Sequence, residues 1–232
     1  MITSKTSLTY QTLKRELLNG VYAPGAKMRI DQLSESLGVS PGAVRESLSR
    51  LTSDGLVVAA DQRGFVVAPI SAADLIDLTE VRISIEVKCL QRSIQIGDLS
   101  WESGIAAAWH QLAHTPAIDP KSPNVMNADW TDAHTVFHDS LIAASDSVWW
   151  LKLREQLYIQ AERYRRLLLP HSKVSRDVDA EHAALVKATL ARDADTASEL
   201  LRAHLQHTVD VLIASDAPFS DMPRANDPKK KS

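Results

Sequence analysis

Four of the eight histidines in this 232-residue chain are spaced for metal chemistry. His134 and His138 stand four residues apart in the run TDAHTVFHDS. On a helix that spacing puts both imidazoles on one face, where they can meet a single ion. His182 and His204 each precede an apolar run, in EHAALV and HLQHTV. The interior of a helical bundle is where ligands of this kind converge. A divalent metal ion is the cofactor such a set suits. The competing reading is four ordinary hydrogen-bonded or surface histidines, and an HxxxH pair alone does not decide between them. His110 and His114 form a second pair at the same spacing, and His207 follows His204 by three. These three are read as surface groups or as supports for ligands. No acid joins the His134–His138 pair in an HExxH arrangement, so the hydrolytic zinc motif is not formed.

The elements that must carry these side chains are helical. From Ser71 onward there is no strand signal of length. Ser71 and Asp74 resemble a capping box, and Leu75, Leu78, Val81, Ile85 and Leu90 follow at helical spacing up to Gly97. Further helical patterns cover about 101–114, 127–144, 147–169, 175–192 and 193–215, with boundaries good to ~2–4 residues. The segment TPAIDPKSPN, with three prolines, reads as a loop. Six helices of this length can enclose a cavity. The residues from Asp216 onward are polar, contain prolines and end in lysines, and are expected to be a disordered tail.

The first third of the chain carries a different device. Leu33 and Leu37 share one helical face that ends at Gly38, a residue able to take a left-handed cap conformation. Ser40 can cap the next helix, with Pro41 at its first position. Val44, Leu48 and Leu51 then form an apolar stripe that leaves Arg45, Ser49 and Arg50 outside it. LVVAA and FVVA flank a hairpin tip at Asp61-Gln62-Arg63-Gly64. Ahead of them, Tyr10, Leu13, Leu17 and Leu18 mark an amphipathic helix ending at Gly20. The sum is a winged helix-turn-helix with a two-stranded wing, which places one helix in the major groove of double-stranded DNA. In that geometry Arg45 reaches guanine or phosphate, Ser40 and Arg50 hold phosphates, and Gln62, Arg63 and Gly64 approach the minor groove.

Composition agrees with a soluble protein of this kind. Hydrophobic residues make up 44% and charged residues 24% of the chain. No window has the apolar length of a membrane span, and the start MITSKTSLTY has no signal-peptide core. Cys89 is the single cysteine, which excludes an internal disulfide framework and suits a reducing cytoplasm. Net charge is −3, yet residues 1–70 hold eight basic against six acidic side chains. A mildly basic head on an acidic body suits a DNA reader that gains affinity by forming a homodimer on an inverted repeat.

VSPGAVRESLSRLTSDGLV followed by RGFVV resembles the DNA-binding domain of GntR-type regulators. The helical part resembles the FCD effector domain of the FadR subfamily, through VRISIE, VFHDSLIAAS, ERYR and EHAALVKATLARDADTASELLRAHL. Six helices point to the VanR-like branch. The resemblance implies a mainly α protein, with a winged domain over 1–70 and an effector-binding and dimerisation bundle over 71–215. It implies a cytoplasmic transcription factor, a repressor of a catabolic operon, released by a small carboxylate held at a divalent metal such as zinc or nickel. Carried across, the metal ligands fall on His138, His182 and His204. His134 occupies a position where the family usually has Asp, so four neutral ligands would leave the ion's charge uncompensated. Arg82 is the candidate partner for the effector carboxylate; a helix ion pair with Glu86 is the equal alternative. Pro41 and Gly42 replace the common Arg-Thr, which removes one family DNA contact and leaves more of the readout to Arg45. Two rival readings follow from the same residues: a metal-dependent hydrolase with a DNA-binding head, and a dimerisation domain with a structural metal only.

Overall fold

The computed structural model describes residues 4–60, 64–119, 122–169 and 176–214. They fall into two units. One is built from Met1–Leu75 together with Glu162–Leu167, the other from Ile76–Ala161 and Leu168–Ala217.

The first unit contains α1 (Lys5–Leu18), β1 (Lys27–Met28), α2 (Ile30–Leu37), α3 (Pro41–Ser53), β2 (Val57–Ala60) and β3 (Gly64–Val67). Gly38 ends α2 at φ +63°, a conformation a side chain would resist, and so makes the tight turn into α3. The Ser40 hydroxyl accepts from Ala43 N at 3.3 Å and caps α3, with Pro41 in its first turn. Val44, Leu48 and Leu51 are fully buried with Leu13 and Leu17 of α1. Burial of each such side chain stabilises by roughly 1.5–3 kcal/mol. The wing differs from expectation in one respect. It has three antiparallel strands in the order β1-β3-β2, because Lys27 and Met28 pair with Val66 and Phe65. A two-residue strand has too few positions to show alternation in sequence.

Within this unit the segment after the wing is held by two consecutive side chains. Arg163 donates to the carbonyls of Ala68 at 3.3 Å and Pro69 at 3.0 Å. Tyr164 accepts from Ser71 N at 3.1 Å and donates to Asp74 at 2.7 Å.

The second unit takes its structure from six helices: α4 (Ala72–Ile96), α5 (Leu99–Ala113), α6 (Ala128–Ile142), α7 (Val148–Leu168), α8 (Val178–Leu190) and α9 (Ala194–Ile213). Asp98, Asn127, Asp177 and Asp193 cap α5, α6, α8 and α9 through their side chains. Leu90, Ile105, Phe137, Leu141, Leu185 and Leu201 form the centre of the core. The segment expected as a loop contains a short hairpin, β4 (Ile118–Asp119) and β5 (Ser122–Met126). In a two-stranded ribbon both strands are edges, where proline's missing N–H is tolerated, so Pro123 in β5 did not prevent pairing. Between α8 and α9, Arg192 adopts φ +60°. Its guanidinium donates to Ile94 O at 2.7 Å and Gly97 O at 2.8 Å, and pairs with Glu102. Cys89 is buried and free. No helix among the described residues is long and apolar enough to cross a membrane. The expected tail from Asp216 lies outside the described residues.

Candidate metal centre and nucleic-acid interface

α6 buries His134, Phe137, His138 and Leu141 along one face, the i, i+3, i+4, i+7 stripe of a core helix. α8 and α9 supply His182 and His204. One ligand atom from each of the four imidazoles lies within 4.8 Å of the others, and all four residues are buried. Ring centroids are 4.5 Å apart for His134–His138, 4.6 Å for His182–His204 and 5.2 Å for His138–His204. Trp130 stacks on His134 at 4.8 Å, and Phe137 meets His182 edge-on at 4.9 Å. Neither ring nitrogen of His138 has a hydrogen-bond partner among the described residues. Burial, then the neighbouring His204 and His182, holds His138 well below its usual protonation range. Four buried, converging imidazoles, with both nitrogens of His138 unpartnered, are a donor set that a divalent ion can use, so the set fits a metal.

His204 is oriented from behind. Its Nδ1 lies 2.9 Å from Glu181 Oε2 and 3.1 Å from Arg176 Nη2. Arg176 Nη2 already donates to Glu181 and to the His204 carbonyl. The network therefore assigns the Nδ1 proton to the bond with Glu181, which leaves the Nε2 lone pair for an ion. Burial alone would raise the Glu181 carboxyl, but Arg176 and His204 overcome it and hold it well below the carboxylate range.

A second polar cluster sits beside the first. Arg82 Nε donates to Glu86 Oε1 at 2.9 Å, so the helix ion pair is formed. The same oxygen is 3.4 Å from Arg154 Nε, and Arg154 Nη1 pairs with Asp139. Both guanidinium groups lie against the Tyr158 ring, Arg82 at 5.0 Å and Arg154 at 4.3 Å. The Tyr158 ring is 6.5 Å from that of His138. Burial would raise Glu86, yet Arg154 and Arg82 hold it lowered and ionised. Sequence reasoning found Arg82 and missed Arg154, Glu181 and Arg176. Only the Arg82–Glu86 spacing was local enough to read.

In the winged unit, Arg45 and Arg50 are exposed on α3. Arg50 lies over the Tyr10 ring at 4.0 Å. Ser40 is exposed at the start of the same helix, and Gly64 opens β3 at φ +74°. Gln62 and Arg63 lie outside the described residues. Arg45 and Gly64 line one cleft with Lys27, Arg29 and Asp31. Lys27 and Arg29 were missed because their nearness to Arg45 depends on β1 joining the wing.

A winged helix-turn-helix followed by a helical domain is the layout of a DNA-binding regulator. Residues 5–67 match the bacterial regulatory proteins of the gntR family, and residues 77–207 match the FCD domain. The chain belongs to the GntR family of transcriptional regulators, with an FCD effector domain. It is 37% identical over 211 residues to the HTH-type transcriptional regulator BphR of Paraburkholderia xenovorans, covering 91% of this chain and 86% of that one. It is 32% identical over 207 residues to the HTH-type transcriptional repressor GlaR of Escherichia coli, covering 88% and 93%. Among solved structures, Escherichia coli McbR/YncC shares the fold at TM-score 0.74 and 20% identity, over 91% of this chain and 98% of that one. These relatives are regulators, and the hydrolase reading falls with them: the chain is a transcription factor and not an enzyme.

Proposed function

We propose that this protein is a ligand-responsive repressor of a catabolic operon, acting in the cytoplasm as a homodimer on an inverted-repeat operator. Residues 1–70 read the DNA, and residues 71–215 bind the effector and dimerise. The observation that carries the effector half is the convergence of His134, His138, His182 and His204 within 4.8 Å. These residues would hold a divalent ion, zinc or nickel. When bound, the ion supplies a positive centre for a small carboxylate. The chain's own contribution is a buried, aromatic-walled site, an orienting bond from His204 Nδ1 to Glu181, and guanidinium donors from Arg82. On the DNA side, Arg45 reads a base edge, and Ser40 and Arg50 contact phosphates. The Ser40 hydroxyl accepts one bond as a cap and keeps its proton to donate. Gln62, Arg63 and Gly64 form the minor-groove tip. GlaR, the relative at 32% identity, is a repressor, which supports the sign of regulation.

The test has two arms. Elemental analysis after zinc reconstitution should find about one ion per chain in the wild type and a sharp loss in His138→Ala. Operator titration should show affinity lowered by a carboxylate in the zinc-loaded protein, with the reciprocal change in carboxylate affinity. A His138→Ala variant with full metal content overturns the site. A carboxylate that binds but never changes operator affinity leaves a dimerisation domain with a structural metal.

A further inference from the structure

The passage from the wing to α4 is pinned by a segment far from it in sequence. Glu162–Leu167, near the end of α7, belong to the winged unit, while the earlier part of α7 belongs to the helical one. Arg163 is 3% exposed, and its two terminal nitrogens donate to backbone carbonyls, Nη1 to Ala68 O and Nη2 to Pro69 O. Its Nε is buried without a hydrogen-bond partner among the described residues. Burial lowers its pKa, and Tyr164 and Asp74 offset this only in part. A buried cation whose hydrogen bonds go to carbonyls carries a large desolvation penalty, so filling space alone would favour an apolar side chain here. What the guanidinium adds is a planar fork that spans two successive carbonyls. Tyr164, fully buried beside it, holds the next stretch. Its hydroxyl accepts from Ser71 N and donates to Asp74, in the first turn of α4. Asp74 N in turn donates to Ser71 Oγ at 3.1 Å, and Ala68 N donates to Leu56 O at 3.0 Å. The same end of α7 also meets the end of α1. Arg166 donates to Asn19 Oδ1 at 2.8 Å, and Leu167 packs so closely on Gly20 that a Cβ there would stand 2.7 Å from it.

We infer that Arg163 and Tyr164 are positioning residues for operator recognition: they make the linker a stiff joint and so fix the half-site spacing that a dimer accepts. This rests on the reading of the chain as a homodimer on an inverted repeat. Both side chains are buried, so they act on DNA through the linker and not by touching it. A free linker would let each winged unit follow its half-site, and spacing would matter little. A linker tied at Ala68, Pro69 and Ser71 lacks that freedom. Each base pair inserted between half-sites moves one of them by about 3.4 Å along the duplex and turns it by about 35°. A stiff joint does not follow, one winged unit disengages, and the gain from binding twice is lost.

The experiment uses the full-length protein and an operator selected from random DNA by the wild type. Duplexes carry the two half-sites at the selected spacing, or nearer or farther by one or two base pairs, beside a duplex with a single half-site. In the wild type a shifted spacing should lower affinity by about tenfold or more. In Arg163→Met the single half-site should bind as it does to the wild type, and the loss on shifting should shrink towards none. Tyr164→Phe keeps the ring and removes both bonds of the hydroxyl, and should lie between. A purely structural role gives a different pattern: a lower melting temperature, all duplexes weakened alike, and the ratio between spacings unchanged. That pattern in a folded Arg163→Met protein overturns the proposal. If Arg163→Met does not fold, Tyr164→Phe decides by the same ratio. A wild type that needs both half-sites but is indifferent to their spacing overturns the stiff joint. A wild type that binds one half-site as tightly as two overturns the dimer reading itself, and the joint falls with it.

Discussion

Oε2 of Glu181 lies 2.9 Å from Nδ1 of His204, on the side of the ring away from its Nε2. A carboxylate behind a ligating imidazole fixes its tautomer and raises its basicity. Glu181→Gln keeps the shape but removes the charge. Metal affinity should fall by roughly 10–100-fold, while the far-ultraviolet spectrum stays that of the wild type. Competition against a fluorescent zinc chelator measures it. Unchanged affinity would mean that Glu181 serves only Arg176 and His207.

On α3, Arg45 is exposed and lines a cleft with Lys27 and Arg29. Arg45→Ala should cost roughly 1–3 kcal/mol of discrimination between operator and random DNA if it reads a base. Equal weakening on both DNAs would make it a phosphate contact. Lys27→Ala and Arg29→Ala should weaken both DNAs alike and flatten the salt dependence, as lost phosphate contacts do.

Glu86 is the buried acid between Arg82 and Arg154. Glu86→Gln leaves two buried cations without it and should destabilise by about 3–5 kcal/mol. Replacing all three residues by apolar ones should cost less than Glu86→Gln does alone. Urea denaturation of the two variants checks the order, and the reverse order would show that the ion pairs are net stabilising.

Burial, then the hydrogen bond to Asp74, pushes the Tyr164 hydroxyl up to about 12 from its ordinary 10. Between those values the unfolded chain gives up the phenol proton and the folded chain keeps it. The stability Tyr164 contributes is therefore whole below pH 10 and is lost as pH rises through 12. Tyr164→Phe should remove that part of the alkaline slope. Tyr22 is pushed to about 12 as well, so the difference between wild type and variant, not the raw curve, is the measurement.

The legible parts of this molecule were those written at helical or turn spacing. Gly38, Ser40 and Pro41 announce a turn and a cap within four residues, and the backbone obeys them. His134 and His138 declare one face through their spacing of four, and His182 and His204 were placed by the apolar runs after them. What stayed hidden depends on which elements meet. Arg154 comes to Glu86 from another helix, and Arg176 reaches His204 across 28 positions of sequence. No periodicity encodes such pairs. The strands at Lys27–Met28 and Ile118–Asp119 are only two residues each, too short to carry a pattern of their own. Their partners supply the reason for their shape.

Arg192 has a consequence for any effort to improve this scaffold. A side chain at φ +60° is uncomfortable by roughly 1–2 kcal/mol, and the usual engineering remedy is glycine. Here that remedy would loosen the backbone and undo a clasp. The guanidinium ties the carbonyls of Ile94 in α4 and of Gly97 just beyond it to Glu102 of α5, and does so from the turn between α8 and α9. Libraries ranked by torsion-angle preference would promote the substitution, and libraries ranked by melting temperature would discard it. The position records a trade between local comfort and the joining of three distant stretches of chain, in which the joining has prevailed.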